Sequence, residues 1–178
     1  LGVWLFWEAD PEDPILATGT PVPDAQLFAI AVDESALRVA ADSRVGRIDG
    51  SYQLASGTIE LIEQPGAPGW HVAVNLVLDA QSLNIGSDLV NQAMRRLLAV
   101  DKYPTGQFLA QSSTPLPDRA QPHIVDLVGQ LELHGQVQDY TIPTMITVDG
   151  DQITLAAEIV IDAGIFGADL SSVLDDNA

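Results

Sequence analysis

Along most of this chain apolar and polar residues alternate with a period of two. Trp70, Val72, Val74, Leu76 and Leu78 share one face, with His71, Ala73, Asn75 and Asp79 on the other, the spacing of a half-buried strand. Val125, Leu127, Gly129, Leu131 and Leu133 repeat it. Ile142, Ile146 and Val148 face Ile153, Leu155, Ala157, Ile159 and Ile161 across Asp149-Gly150-Asp151, which predicts a hairpin. Shorter apolar runs at 27–32, 36–41, 44–48, 57–62 and 106–112 predict further strands. One segment breaks the rule. Leu89, Val90, Ala93, Met94, Leu97 and Leu98 recur at spacings of three and four, a helical stripe for which Ser87 or Asp88 is the candidate cap. About eight to ten closely spaced strands with one modest helix predict an antiparallel barrel or sandwich, because parallel crossovers would need many more helices.

The 178 residues suit one domain. The first seven, L-G-V-W-L-F-W, are wholly apolar. They are too few to cross a hydrocarbon core of about 30 Å. They read either as the end of a membrane anchor, with Trp4, Phe6 and Trp7 suited to the interface, or as a segment packed on the domain or a partner. Residues 8–26, with acidic residues, Pro11, Pro14, Gly19, Pro21 and Pro23, read as a linker. This leaves 27–170 as the barrel domain and 171–178 as a tail.

Composition narrows the chemistry. Apolar residues make up 47% and charged residues 18%, which excludes a disordered or collagen-like chain. Asp and Glu number 25 against 7 Lys and Arg, a net charge of −18, a field that repels phosphate backbones and anionic lipid headgroups, so nucleic acid is not an expected partner. Without cysteine, disulfides, thiolate catalysis and cysteine-held metals are excluded. No nucleophile elbow, P-loop, dinucleotide fingerprint or zinc-protease helix motif occurs. His71, His123 and His134 lack ligand spacing, and Asp149 and Asp151 lack the distal Glu of a calcium loop. No catalytic residue and no metal ligand is assigned. Arg95 and Arg96, adjacent cations in a cation-poor chain, read as solvated surface or as a dock for a lipid headgroup or acidic partner.

Three stretches carry a resemblance. Asp101-Lys102-Tyr103-Pro104, then Gln107-Phe108-Leu109-Ala110-Gln111-Ser112, then Val128-Gly129-Gln130-Leu131-Glu132-Leu133-His134-Gly135 resemble, in order and spacing, the YceI-like family of lipocalin-like, polyisoprenoid-binding proteins. Phe166-Gly167 resembles its late phenylalanine-glycine, Val32-Asp33-Glu34-Ser35 its opening, and Gly50 to Ile59 its early glycine-containing hairpin. There are departures. Glu34 replaces the usual histidine before the serine, Leu97-Leu98 stand where many members have two phenylalanines, and Asp88-Leu89 and Asn91 replace an arginine-aspartate pair and a nearby histidine.

The resemblance implies a lipocalin-like extended antiparallel β-barrel of about eight strands with one short α-helix. Its interior would accommodate an isoprenoid-type lipid, a quinone or polyprenyl tail. The inward candidates on strands are Val74, Leu76, Phe108, Leu131, Leu133, Ile142, Ile146 and Ile159. By pattern alone these positions suit a filled core equally. Met94, Leu97 and Leu98 on the helix are either a lid over the barrel mouth or a packing face, and Phe166 joins the candidates through its motif. Tyr103 reads as a structural residue beside Pro104. The implied function is an exported, non-enzymatic binding or carrier protein of the periplasm that requires no cofactor. The alternative is a membrane-anchored accessory subunit docking in a larger membrane protein complex through its N-terminal segment.

Overall fold

The computed structural model describes residues 2–10, 25–43, 46–63, 68–161 and 165. The strands are β1 (Gly2–Asp10), β2 (Ala25–Ile30), β3 (Ala36–Ser43), β4 (Gly46–Glu63), β5 (Trp70–Asn84), β6 (Thr105–Ser112), β7 (His123–Leu133), β8 (Gln136–Asp149) and β9 (Gln152–Val160), with one helix, α1 (Asp88–Leu97), between β5 and β6. Every pairing is antiparallel.

The sheet runs β3-β4-β5-β6-β7-β8-β9, and β1 pairs with both β3 and β9, so the ring closes. β2 and β3 lie along the same strand, β4, with Phe28 opposite Ile59 and Leu37 opposite Tyr52. They are two halves of one strand broken by a 3-10 turn at Val32–Glu34, where the Ser35 hydroxyl donates to the Ala31 carbonyl at 2.8 Å. Counted this way, eight strand positions surround one interior. Closure through β1 joins the two sides of the sheet, the arrangement by which barrels limit edge-to-edge association; among the described residues β2 meets β1 only at Ala29 and Ile30.

Two segments differ from the sequence expectation. The run 57–62 and the described part of the run 44–48 (46–48) belong to a single strand of 18 residues, so Gly50 to Ile59 lies inside β4 and is not a hairpin. Its register against β5 shifts between Ser51 and Gln53 and again between Leu54 and Ser56. Such bulges bend a long strand and break the alternation from which its continuity would be read. Residues 2–10, read either as an anchor end running into a linker or as a segment packed on the domain or a partner, form β1, its backbone paired with β9 from Gly2 to Ala9. A wholly apolar run shows no period, so pattern alone could not type it as a strand. Ala25 and Gln26, expected in the linker, begin β2; residues 11–24, Phe166 and the tail lie outside the described residues.

The interior follows the alternation. Val72, Val74 and Leu76, Val125 and Leu127, Ile142 and Ile146, and Ile153, Leu155 and Ile159 are buried and form one apolar cluster with Phe28, Ile59 and Leu61. Thr144 shares this interior, its hydroxyl satisfied by the Ile142 carbonyl at 3.0 Å. The two ends of the barrel differ. At the end holding the β4–β5, β6–β7 and β8–β9 connections, the β6–β7 loop sends Leu116 into the core. Backbone bonds of 2.8 and 3.0 Å between Leu116 and Trp70 hold it there. Arg119, above the Trp70 ring and donating to Gln26 at 2.9 Å, ties this loop to β2. Leu116 is thus a plug.

Candidate functional site

Toward the opposite end, where α1 lies, the apolar lining reaches solvent. Val39, Tyr52, Leu78, Leu131, Leu133 and Tyr140 pack on the core but are only partly buried. Pairing sets Leu131 beside Phe108 and Phe108 beside Leu76, so buried Phe108 and Leu76 floor a mouth that Leu131 and, one step further out, Leu133 and Leu78 rim. Ile85, just past β5, lies against Gly50 of the neighbouring strand β4, where a Cβ would collide with it. The barrel is therefore sealed at the Leu116 end and apolar and partly wet at the helix end.

The sequence candidates divide accordingly. Val74, Leu76, Phe108, Ile142, Ile146 and Ile159 are members of the buried cluster, Leu131 and Leu133 lie at the mouth, and Met94, Leu97 and Leu98 are half-buried on or just after α1. Phe166 lies outside the described residues. Neither expectation for the helix describes it fully, because its most buried residue is polar. Asn91 accepts from the Ile85 backbone N–H at 2.8 Å and donates to Asn84 at 3.4 Å, and Arg95 donates to the Leu83 carbonyl at 3.1 Å. Asp88 in the first turn and Arg95 and Arg96 in the last suit the helix dipole. Ser87 occupies the N-cap position without a side-chain cap bond. Asn91 and Arg95 are the residues that residue-type reasoning missed as structural anchors; they lie beside each other along the edge of the apolar stripe, and no motif marked them.

The motifs that carry the resemblance meet at this same end. Leu133 and Gln136 flank a two-residue turn in which His134 and Gly135 have φ of 52° and 71°. Positive φ at both positions is the I′ hairpin geometry. The His134 ring lies 4.3 Å from that of Tyr103, and a Cβ on Gly135 would approach the Tyr103 ring to 2.7 Å. The Pro104 carbonyl accepts from Ala80 N–H at 2.9 Å. Lys-Tyr-Pro thus clamps the β5–β6 crossover to the β7–β8 turn, the structural role expected of Tyr103. The three histidines are dispersed: His71 lies beside Ser112, His123 beside Asp118 at 3.3 Å, and His134 on Tyr103. Among the described residues no group of three or more metal-ligating side chains gathers. Asp118, accepting from the Ala120 N–H and from His123, is held below the usual carboxylate range.

Tyr52 is the titratable group of the apolar mouth. Burial pushes its phenol up to about 12 from 10.0, because a phenolate there would lose its hydration. The folded state's advantage from keeping this phenol neutral is whole below about pH 10 and is lost as pH climbs to about 12. It is worth about 2 kcal/mol after allowance for partial solvent contact. Ultraviolet titration is expected to show one tyrosine ionising near pH 12 and its absence in Tyr52→Phe; full titration of every tyrosine near pH 10 in folded protein would contradict this.

Comparison with known proteins fits this architecture. The sequence model of the YceI-like domain matches residues 28–177. Among solved structures, the chain is similar to a polyisoprenoid binding domain from Saccharophagus degradans implicated in plant cell wall breakdown. The two share 13% identity over 98% of this chain and 85% of that one, with a TM-score of 0.53. It is also similar to BcnA of Burkholderia cenocepacia, at 13% identity over 69% of this chain and 96% of that one, TM-score 0.48. The first likeness shows a shared fold, and the second carries no argument. No curated protein matches.

Proposed function

The chain belongs to the YceI-like family, and from that premise we propose that it is a non-enzymatic binding or carrier protein for an isoprenoid-type lipid, a quinone or polyprenyl chain, whose tail enters the barrel at the helix end. The observation that carries this reading is the difference between the two ends. The Leu116 end is sealed by fully buried side chains, whereas Leu78, Leu131 and Leu133 at the other end are apolar, inward-facing and partly open to water. A tail covering such a surface gains about 25 cal/mol for each Å² withdrawn from water, which offsets the cost of ordering it without a strong polar contact. The polyisoprenoid ligand of the Saccharophagus domain, which shares the fold, is of the same chemical class. Export from the cytoplasm belongs to the same proposal, with cell fractionation as its check.

The reading places the tail against Leu131. Leu131→Glu is expected to weaken binding of an isoprenoid quinone at least about tenfold, since a carboxylate in an apolar contact must be dehydrated or neutralised. Leu131→Met, of similar volume, is expected to leave it within about threefold. Fluorescence titration with the quinone in detergent reads both. Equal affinity for the Glu variant, or no affinity of the native chain for any isoprenoid, would overturn the proposal.

A further inference from the structure

Two phenols stand in the lining of the open end, Tyr52 on β4 and Tyr140 on β8, and both side chains pack on the apolar cluster. Tyr140 already has a partner in the fold. Among the described residues no hydrogen bond reaches the Tyr52 hydroxyl, and its oxygen is not wholly enclosed. Tyr52 shares its face of β4 with Leu54 and stands opposite Leu37, both buried, so the ring points into the barrel and the hydroxyl opens on the mouth. A tyrosine set among apolar groups ordinarily finds a partner for its O–H, because an unmet hydroxyl there is costly.

The wall beside Tyr52 is built around this position. Ser51 pairs with Asn84 and Gln53 with Asp79, so Ala80 to Leu83 of β5 stand opposite Tyr52 alone. The detour is held in place. The Ser82 hydroxyl accepts from the Gln53 N–H at 2.8 Å and donates to the Asp79 carbonyl at 2.6 Å, and the Pro104 carbonyl accepts from the Ala80 N–H at 2.9 Å. Irregularities of this kind interrupt a ladder next to binding sites and re-aim a side chain. The surroundings of the hydroxyl are poorly polar, the same cause that pushes the phenol up to about 12, and a hydrogen bond made there is stronger than one made in water.

Charge at this end decides what kind of head the hydroxyl meets. Asp49, Asp79, Asp88, Asp101, Glu132 and Asp139 outnumber Arg38, Arg95, Arg96 and Lys102, the cations whose side chains are described here. Arg95 is also engaged by the Leu83 carbonyl. The field therefore disfavours an anionic head. A neutral carbonyl oxygen carries no such penalty.

We propose that Tyr52 is the specificity-determining residue of the barrel mouth, its hydroxyl donating a hydrogen bond to an uncharged acceptor oxygen on the head of the bound isoprenoid. This rests on the carrier reading and sharpens it: the apolar lining holds the tail, and one phenol distinguishes a carbonyl-bearing head from bare hydrocarbon and from a phosphorylated alcohol. Apolar sites with a single well-placed polar group discriminate in this way, because a ligand without the matching oxygen leaves that group unpaired.

The test compares three probes with the same tail, a farnesyl-substituted benzoquinone, the hydrocarbon farnesene and farnesyl phosphate, on the full chain by equilibrium gel filtration in dilute detergent. The native chain is expected to bind the quinone most tightly. Tyr52→Phe is expected to weaken the quinone about three- to tenfold and to leave farnesene within about twofold, whereas a merely structural role would move both. Its thermal melt at neutral pH is expected to match the native one, since the lost hydroxyl has no protein partner. In the infrared, a carbonyl stretch of the bound quinone is expected to lie lower in the native chain than in Tyr52→Phe. Equal quinone affinity in Tyr52→Phe, equal loss of quinone and farnesene, or tighter binding of farnesyl phosphate than of the quinone would overturn the proposal while the carrier reading stands. Binding of none of the three by the native chain would overturn both.

Discussion

Replacing Phe28 by alanine is expected to remove about 3–5 kcal/mol of stability, the range for deleting a fully buried aromatic ring. Phe28 has no solvent-exposed surface, lies opposite Ile59 on β4, and belongs to the cluster that fills the sealed half of the barrel. It is also on β2, the half-strand cut from β3 by the 3-10 turn, so its ring is a main attachment of a six-residue element. With little chain nearby free to collapse, the cavity term is retained. Leu131→Ala, at the partly open mouth, is expected to cost less than half as much. Urea unfolding of both variants measures the contrast. Equal losses would mean that the barrel is uniformly packed and has no open end.

Gly129→Val is expected to be at least as damaging as the Phe28 variant or to prevent folding. A Cβ at Gly129 would overlap the Leu109 carbonyl oxygen and come within 2.5 Å of the Ala110 Cα and Cβ. Two of these are backbone atoms in the paired strand β6, which cannot swing away as the tip of a side chain can. Accommodation requires β6 and β7 to part, and overpacking of this kind costs about 1–3 kcal/mol when the neighbours can adjust and more when they are main chain. The strain falls between Tyr140 on β8 and Val74 on β5, which pair across Gly129 and Ala110. Loss of far-UV strand signal or of soluble expression would agree. A valine variant with native stability would show that the two strands are further apart than described.

Much of the architecture was legible because strands that bury one face write it in alternate residues. β5, β7 and the β8–β9 hairpin, whose turn is Gly150 with φ of 59° followed by Asp151, follow from alternation and turn chemistry alone. The helix stripe at 89–98 likewise marks α1. What alternation could not express was lost. Bulges in β4 throw the period out of phase, so one long strand read as two. β1 is apolar from Gly2 to Trp7, and a run without a period carries no sign of sheet or span. Closure of the ring is a non-local event that no window of sequence contains.

The site was half legible for a related reason. Positions such as Val74 and Ile146 are inward-facing and apolar, as are Leu131 and Leu133, and sequence cannot tell which lie deep in a plugged end and which at a mouth. The distinction depends on where Leu116 docks, a loop residue with no periodic neighbours. α1 was legible as amphipathic but not in orientation. An apolar stripe is ordinarily read as the packing side, and here only Met94, Leu97 and Leu98 of it are half-buried, because Asn91 and Arg95 take the inner side by satisfying backbone groups at the end of β5. Those partners, the Ile85 N–H and the Leu83 carbonyl, are invisible in a list of side chains.

Native mass spectrometry of the chain isolated gently from its own membranes tests the central claim most directly. The account predicts a complex heavier than the polypeptide by one lipid, released on denaturation as an isoprenoid-type molecule. The bare polypeptide mass in every preparation, with no isoprenoid in the solvent extract, would contradict it.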